Sequence, residues 1–158
     1  MSERLTELVA RLRKGAAKTC GIMDTLADDQ WETVLYQEPY PWTVRDLLAH
    51  FLSAEAGLLR IMQDVQAGGP GAPVGFNYDE FNACEHKRLA GLPPRQLLAD
   101  LLAARQATIA WISGLADADL DRVGHHPALG EISLETFINA IYGHQLMHMR
   151  DLSRLPES

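Results

Sequence analysis

Four long stretches of the sequence repeat apolar residues at spacings of three and four, and this periodicity is the feature that most restricts the fold. Such spacing places the apolar side chains on one face of an α-helix. Strand-like alternation is nearly absent, and there are no internal repeats. Because each helix has a single apolar face to bury, we expect an all-α protein in which the four helices pack together as a four-helix bundle.

The starts of the four helices are marked by capping residues and prolines. Polar side chains at a helix start accept hydrogen bonds from free backbone N–H groups, and proline is tolerated in the first turn. Glycines after the second helix, at Gly68 and Gly69, are typical of a helix end. The first helix is expected to reach Leu26. The expected starting signals are Ser2, Thr43 with Asp46 as a capping box, Pro93 with Pro94, and Ser133.

Three shorter features are expected between the long helices. The aromatic and proline-rich segment YQEPYPWT, residues 36–43, predicts a packed lid rather than a flexible linker. Residues 77–90 predict a polar connecting helix with Phe81, Cys84 and Leu89 as its buried positions. Residues 122–132 contain two glycines and a proline, which indicates a loop or a short hairpin.

Length and composition favour one ordinary globular domain over residues 1–158. The chain is 47% apolar and 22% charged, which is usual for such proteins. No run of 18 apolar residues occurs, so we expect no membrane span. The first residues, MSERLTELVARLRK, are charged and do not resemble a secretory signal, which predicts a cytoplasmic location.

Net charge and cysteine usage exclude two further classes of protein. A net charge of -7 repels phosphate backbones, so nucleic acid is not an expected partner. Cys20 and Cys84 lie far apart and form no CxxC motif, which argues against a zinc ribbon or a redox pair. We expect both to be reduced thiols.

Two histidines, His144 and His148, lie four residues apart in the apolar stripe of the last helix. Four residues advance a helix by about 6 Å and return the side chain to nearly the same face. A buried imidazole needs a partner, because leaving one unpaired costs about 1 to 3 kcal/mol. One divalent cation could accept both rings, although two core histidines with hydrogen bonds to neighbouring side chains are the plainer alternative.

His50 provides a third histidine on an apolar helix face. The inward stripe of the second helix includes His50 and Leu58, whereas Glu55 is expected mostly outside it. Metal sites in bundles are built from inward side chains of facing helices. The set His50, His144 and His148 would therefore bind a divalent metal and leave an open coordination position, as catalytic sites do. Zn, Ni, Fe and Mn all remain open as the metal.

Three motifs carry a resemblance to a known family: WTVRDLLAHF around His50, the pair Phe81 and Asn82, and GHQLMHMRD around His144 and His148. Together they resemble the DinB-like superfamily, which includes YfiT-like proteins and the metal-binding domain of mycothiol-dependent maleylpyruvate isomerases. The resemblance implies a four-helix bundle with a divalent metal on one histidine of the second helix and two ligands of the last.

Two departures narrow the function that this resemblance implies. In the mycothiol-dependent isomerases the first ligand of the last helix is usually glutamate, so His144 argues against maleylpyruvate isomerisation. Position 145 is Gln, so the motif is HQxxH and lacks the glutamate base of zinc proteases. A peptidase is therefore not expected.

The remaining polar candidates have weaker signals. His86, His125 and His126 lie in polar or loop segments, and exposed positions are expected for all three, although His125 or His126 could instead line a pocket at the bundle end. Hydrogen bonds to a substrate could come from Tyr78, Asn82 and Glu55, for which ordinary surface or packing roles are equally compatible with the sequence.

The leading hypothesis is an enzyme in which the metal acts as a Lewis acid on a small molecule. The family resemblance implies hydrolysis or transfer of a low-molecular-weight thiol, of which we favour the thiol S-transferase. One alternative is a non-catalytic metal- or ligand-binding stress protein, with a fourth protein ligand such as His86 or Glu55 closing the site. The other is a metal-free, purely structural helical dimer. A homodimer is also predicted for the enzyme.

Overall fold

The computed structural model describes residues 1–155 and confirms an all-α architecture built on a four-helix bundle. The α-helices in chain order are α1 (Glu3–Met23), α2 (Asp28–Trp31), α3 (Val44–Gln66), α4 (Tyr78–Arg88), α5 (Pro94–Ser113) and α6 (Leu134–Leu152). A 3-10 turn covers Asp117–Asp121. Of these, α1, α3, α5 and α6 form the bundle. No helix within residues 1–155 is long and apolar enough to cross a membrane.

The four bundle helices run in two parallel pairs. Arg4, at the start of α1, bonds to Glu135 at the start of α6 and to Asp117 just after α5, at 2.8 and 3.2 Å. Helix α1 is therefore parallel to α6 and antiparallel to α5. Trp111 near the end of α5 donates to Gln66 at the end of α3 at 2.9 Å, so α3 and α5 are parallel. It follows that α3 and α6 are antiparallel neighbours.

Helix starts are confirmed where capping residues predicted them. The side chains of Ser2, Thr43 and Ser133 accept the expected backbone hydrogen bonds, and Thr43 forms the predicted capping box with Asp46. Helix α1 is shorter than expected, because it ends at Met23 and not near Leu26.

Two small antiparallel hairpins join the helices, although the sequence showed almost no strand pattern. In the first, β1 (Val34–Tyr36) pairs with β2 (Trp42–Thr43), and it occupies the segment expected to form a packed lid. In the second, β3 (Val123–His126) pairs with β4 (Gly130–Ser133), which confirms the hairpin alternative for residues 122–132. Strands of two to four residues are too short to display alternation.

The bundle interior contains two apolar clusters. One is formed by α1, α5, α6 and the end of α3, and includes Leu8 and Phe137; the other includes Leu47, Phe51 and Leu97. Glu55 is also fully buried, at 1% exposed. The expectation that this carboxylate would lie off the buried face of α3 is wrong, because Arg105 on α5 pairs with it inside the bundle.

The connecting helix α4 differs from its expected burial. No residue within α4 is buried: Phe81 is half-buried, and the free thiol of Cys84 is exposed. Only Leu89, which caps the helix, is buried as predicted, at 2% exposed. Phe81 instead faces a cavity beside α3. The other thiol, Cys20, is also unpaired and half-buried.

Candidate metal centre

The three predicted ligands come together between α3 and α6. His50 lies in the second turn of α3, and His144 and His148 lie on the C-terminal half of α6, which runs antiparallel to it. His144 Nε2 is 3.0 Å from His50 Nε2 and 3.2 Å from His148 Nε2. All three ligand nitrogens lie within 4.8 Å of one another. The antiparallel packing of two neighbouring helices thus brings together residues 94 positions apart.

The donor set fits one divalent ion. Nitrogens bound to a common metal at about 2.1 Å are roughly 3.0 to 3.4 Å apart at octahedral to tetrahedral angles, which matches the two spacings at His144. Within residues 1–155, no fourth His, Cys, Asp or Glu joins the three. Neither suggested closing ligand, His86 or Glu55, belongs to the group. A bound metal would therefore keep open positions.

Burial keeps the three imidazoles neutral. Desolvation, followed by the charges of the other two histidines, lowers the pKa of His50 to about 3. Desolvation and the neighbouring His148 lower the pKa of His144 to about 4. The pKa of His148 is also lowered by desolvation, which Asp151 partly opposes. Metals bind neutral imidazole, so the ligands are in the required form at neutral pH.

A tyrosine and an aspartate orient His148. Tyr36 Oη donates a hydrogen bond to Asp151 Oδ2 at 2.5 Å and lies 2.7 Å from His148 Nδ1. Because the hydroxyl proton goes to the carboxylate, His148 Nδ1–H is the donor to Tyr36 Oη. The lone pair of His148 is then fixed on Nε2, toward the other ligands. Burial and the bond to Asp151 raise the pKa of Tyr36, which keeps this hydroxyl protonated.

Sequence reasoning did not identify Tyr36 and Asp151 as partners of His148. Asp151 lies one helical turn after His148 in the quoted motif GHQLMHMRD, and that spacing was the available signal. Tyr36 is 112 residues from His148, and only the folding of the first hairpin over α6 brings it to the site.

Removing the hydroxyl of Tyr36 is expected to weaken metal binding. A Tyr36→Phe variant leaves His148 Nδ1 without its acceptor and should lower metal affinity by roughly 10- to 100-fold. Competition against a chromophoric chelator measures this loss. The matched control is Tyr40→Phe on the same hairpin, whose ring contacts His86. Equal affinities for the two variants would show that Tyr36 does not orient the ligand.

The triad lies at one end of a large cavity of about 910 Å³. Its walls are formed by α3, α4, α6, the first hairpin and the loops around residues 73–76 and 126–129. Most of the lining is apolar or aromatic, and the charged side chains are exposed at its rim: Glu38, Arg60 and Asp79. Tyr78 and Asn82 line the cavity, as their proposed substrate contacts require, whereas Glu55 does not.

The other histidines are less exposed than expected. His126 is 8% exposed and lines the cavity, and its Nδ1 accepts the backbone N–H groups of Ala128 and Leu129 at 3.0 and 3.1 Å. Desolvation and the charge of His125 lower the pKa of His126. His125 is half-buried, and His86 is half-buried beside the rings of Tyr40 and Trp42. The expectation of an exposed side chain is wrong for His126, which lines the cavity as the alternative interpretation allowed, whereas His86 and His125 are only partly covered.

Fold and site together define a class of protein: a helical bundle with a three-histidine cluster opening into an apolar cavity. The chain belongs to the DinB superfamily, whose family model matches residues 6–152. This confirms the family resemblance inferred from the motifs. Among curated proteins, none matches the sequence significantly.

Solved structures share the fold at low sequence identity. The mycothiol-dependent maleylpyruvate isomerase has a TM-score of 0.78 and 16% identity over 96% of this chain, which spans 63% of the isomerase chain. YfiT from Bacillus subtilis, described as a probable metal-dependent hydrolase with an unusual four-helix bundle topology, has a TM-score of 0.71 and 19% identity over 97% of this chain and 86% of its own. The colibactin self-resistance protein ClbS, solved with double-stranded DNA, has a TM-score of 0.74 and 13% identity over 97% of both chains.

Proposed function

We propose that the protein is a metal-dependent enzyme acting on a small molecule, with His50, His144 and His148 as the metal ligands. The observation that carries this proposal is three neutral imidazoles whose nitrogens meet at the end of a cavity of about 910 Å³. No fourth protein ligand closes the group within the described residues. Both the cavity and the open positions favour a substrate over a purely structural ion.

A divalent metal bound there would supply a Lewis acid that polarises a substrate or lowers the pKa of a bound group. Positioning of the ligands depends on residues of the chain itself. The three histidines hold the ligand nitrogens in place, and Tyr36 with Asp151 fixes the tautomer of His148. Aromatic side chains of the first hairpin, Tyr40 and Trp42, line the cavity, and the ring of Trp42 packs against His50.

Of hydrolysis and thiol transfer, we favour transfer of a low-molecular-weight thiol. A bound metal would have to lower the pKa of water from about 15.7, but that of a thiol only from about 8.5, so activation of a thiol needs the smaller shift. The buried Gln145 stands where the HExxH motif has its base, so the chain offers no carboxylate there. Thiol transfer therefore depends less on a general base, which this chain does not offer at position 145. The mycothiol dependence in the isomerase's name agrees with this choice.

Turnover with defined substrates tests the proposal. Protein loaded with Zn²⁺, Ni²⁺, Mn²⁺ or Fe²⁺ is given either N-acetylcysteine with a bimane electrophile or a simple aryl ester. With monochlorobimane as the electrophile, we expect metal-dependent displacement of chloride by the thiol sulfur, which gives a thioether and releases chloride and a proton. This reaction should be lost in His144→Ala and retained in His125→Ala, a histidine outside the cluster. Turnover of the ester alone would instead indicate a hydrolase. Loaded wild-type protein that is no faster than His144→Ala would overturn the proposal of an enzyme and leave a non-catalytic binding protein.

Partners other than small molecules are not part of this proposal. ClbS was solved with double-stranded DNA, but a net charge of -7 opposes binding of a polyanion by this chain. The homodimer expected from the sequence stays a prediction.

A further inference from the structure

We propose that the cavity binds an elongated apolar body, an alkyl or aryl chain, whose polar end reaches the three histidines. The inference rests on the proposed function for the position of the polar end, and it adds the substrate class. It follows from the length of the cavity, the residues of its walls and the position of its charges.

The cavity is long in one direction. Its lining on α3 extends from His50 to Ile61, and eleven residues at 1.5 Å each span about 16 Å. On the antiparallel α6 the lining extends from His148 back to Ala140, which is about 12 Å. The triad occupies only one end. A molecule with its reacting group at the histidines therefore has about 12 to 16 Å of cavity to fill.

Small residues open the walls of this cavity. Ala54 and Gly57 on α3 and Ala140 and Gly143 on α6 line it, so the two helices leave room between them. Phe81 covers the α3 side, since a Cβ added to Gly57 would lie 3.4 Å from its ring. Helices α3 and α6 thus form one wall of the cavity, and aromatic rings such as Phe81 form the wall facing it.

The wall formed by α3 and α6 carries almost no charge along its length. Along the lining of α3 between His50 and Ile61, the one ionisable residue is the exposed Arg60 at the rim. Apolar side chains also surround the mouth, where Leu129 and Met147 are 55% and 53% exposed. Apolar surface gathered in a concave site gains free energy when an apolar ligand removes it from water. A ligand charged along its length would lose its hydration against the apolar side chains of α3 and α6, where only the exposed Arg60 at the rim could pair with it.

Gly143 provides a clean test. Gly143 lines the cavity and a Cβ built there meets nothing within 4 Å, so the side chain of Gly143→Leu has open space at its base and should occupy part of the cavity. Leucine also has the higher helix propensity, so the fold should not suffer. The matched control is Gly21→Leu on α1, where a Cβ again meets nothing within 4 Å and the residue does not line the cavity.

Binding of butyl, hexyl, octyl and decyl hydroxamates to the Co²⁺-loaded protein is followed by the visible spectrum of the metal. For wild type and Gly21→Leu we expect affinity to rise about fourfold per methylene. In Gly143→Leu the affinity should stop rising at a shorter chain length, and decyl hydroxamate should bind to this variant at least tenfold more weakly than to the wild type. Affinity that does not depend on chain length, or a Gly143→Leu variant equal to Gly21→Leu, would overturn the inference.

A second measurement separates this inference from the proposed function. The neutral apolar dye N-phenyl-1-naphthylamine should bind to the metal-free wild type and to Gly21→Leu. It should bind to Gly143→Leu at least tenfold more weakly. If Co²⁺ fails to bind, the proposed function fails and the dye alone decides the inference. If Co²⁺ binds but neither probe distinguishes the variants, the inference fails and the metal centre stands.

Discussion

Metal-free protein is expected to lose about 5 kcal/mol of its free energy of unfolding between pH 6.5 and about pH 4.5. His50 and His144 have pKa values of about 3 and 4 in the fold, against 6.5 for a free histidine. In that window the unfolded chain binds protons that the folded chain does not, so stability falls as pH falls. Each residue contributes about 1.4 kcal/mol per pH unit. The loss rivals the whole stability of many domains, about 5 to 15 kcal/mol.

Urea unfolding at a series of pH values, with a chelator present, measures this slope. His144→Asn removes one of the buried imidazoles and should flatten the dependence on pH, whatever its effect on stability at neutral pH. Met147→Asn, at an exposed position of the same helix, is the matched control; it changes no titratable group and should keep the wild-type slope. Three identical slopes would show that His144 is protonated in the fold as readily as in the unfolded chain. Bound Zn²⁺ should protect the protein against acid, because it binds only the neutral rings.

The second large effect is expected from the buried ion pair between α3 and α5. Arg105 Nε and Nη2 donate to the two carboxylate oxygens of Glu55 at 2.7 and 2.8 Å, and Nη1 donates to the carbonyl of Leu12 at 2.8 Å. Both side chains are almost fully buried. Arg105→Met strands the Glu55 carboxylate without a partner and should lower the free energy of unfolding by about 3 to 5 kcal/mol.

Replacing both partners should restore much of this loss. The double variant Glu55→Leu with Arg105→Met leaves no unpaired charge, and apolar replacements of buried pairs are often neutral. An exposed pair, Arg88 with Glu85 on α4, is the matched control. Its Arg88→Met variant should cost only about 0.3 to 0.5 kcal/mol. Thermal and urea unfolding check all three. A cost for Arg105→Met as small as that for Arg88→Met would contradict the role given to the buried pair.

The residues of the three-histidine cluster were predictable because helical periodicity fixes the direction of each side chain. His144 and His148 share a face at a spacing of four, and His50 shares a face with Leu47 and Ala54. These are local properties of single helices. Whether the three rings meet depends on which helices are neighbours and in which direction they run. The general rule that bundle sites use inward side chains of facing helices joined His50 to the pair, and the family resemblance agreed with it, but the pattern of apolar residues alone does not determine which helices face each other.

The missed features all depend on contacts distant in sequence. Glu55 was placed off the buried face because a carboxylate is usually exposed, and only Arg105, 50 residues away, reverses that rule. Tyr36 reaches His148 through a hairpin whose strands are too short to be predicted. His126 is covered by its own β-turn and by the ring of Phe137. In each case tertiary packing overrides a local preference.

The pairing of α3 with α6 also bears on the order of events at the ribosome. His50 is synthesised 94 residues before His144, and the three preceding bundle helices contribute only that single ligand. A nascent chain carrying α1, α3 and α5 therefore has no chelating cluster. If the cluster binds a metal as proposed, capture of the ion must await emergence of the final helix, and metal occupancy would then report that translation has passed this helix and that the bundle has closed.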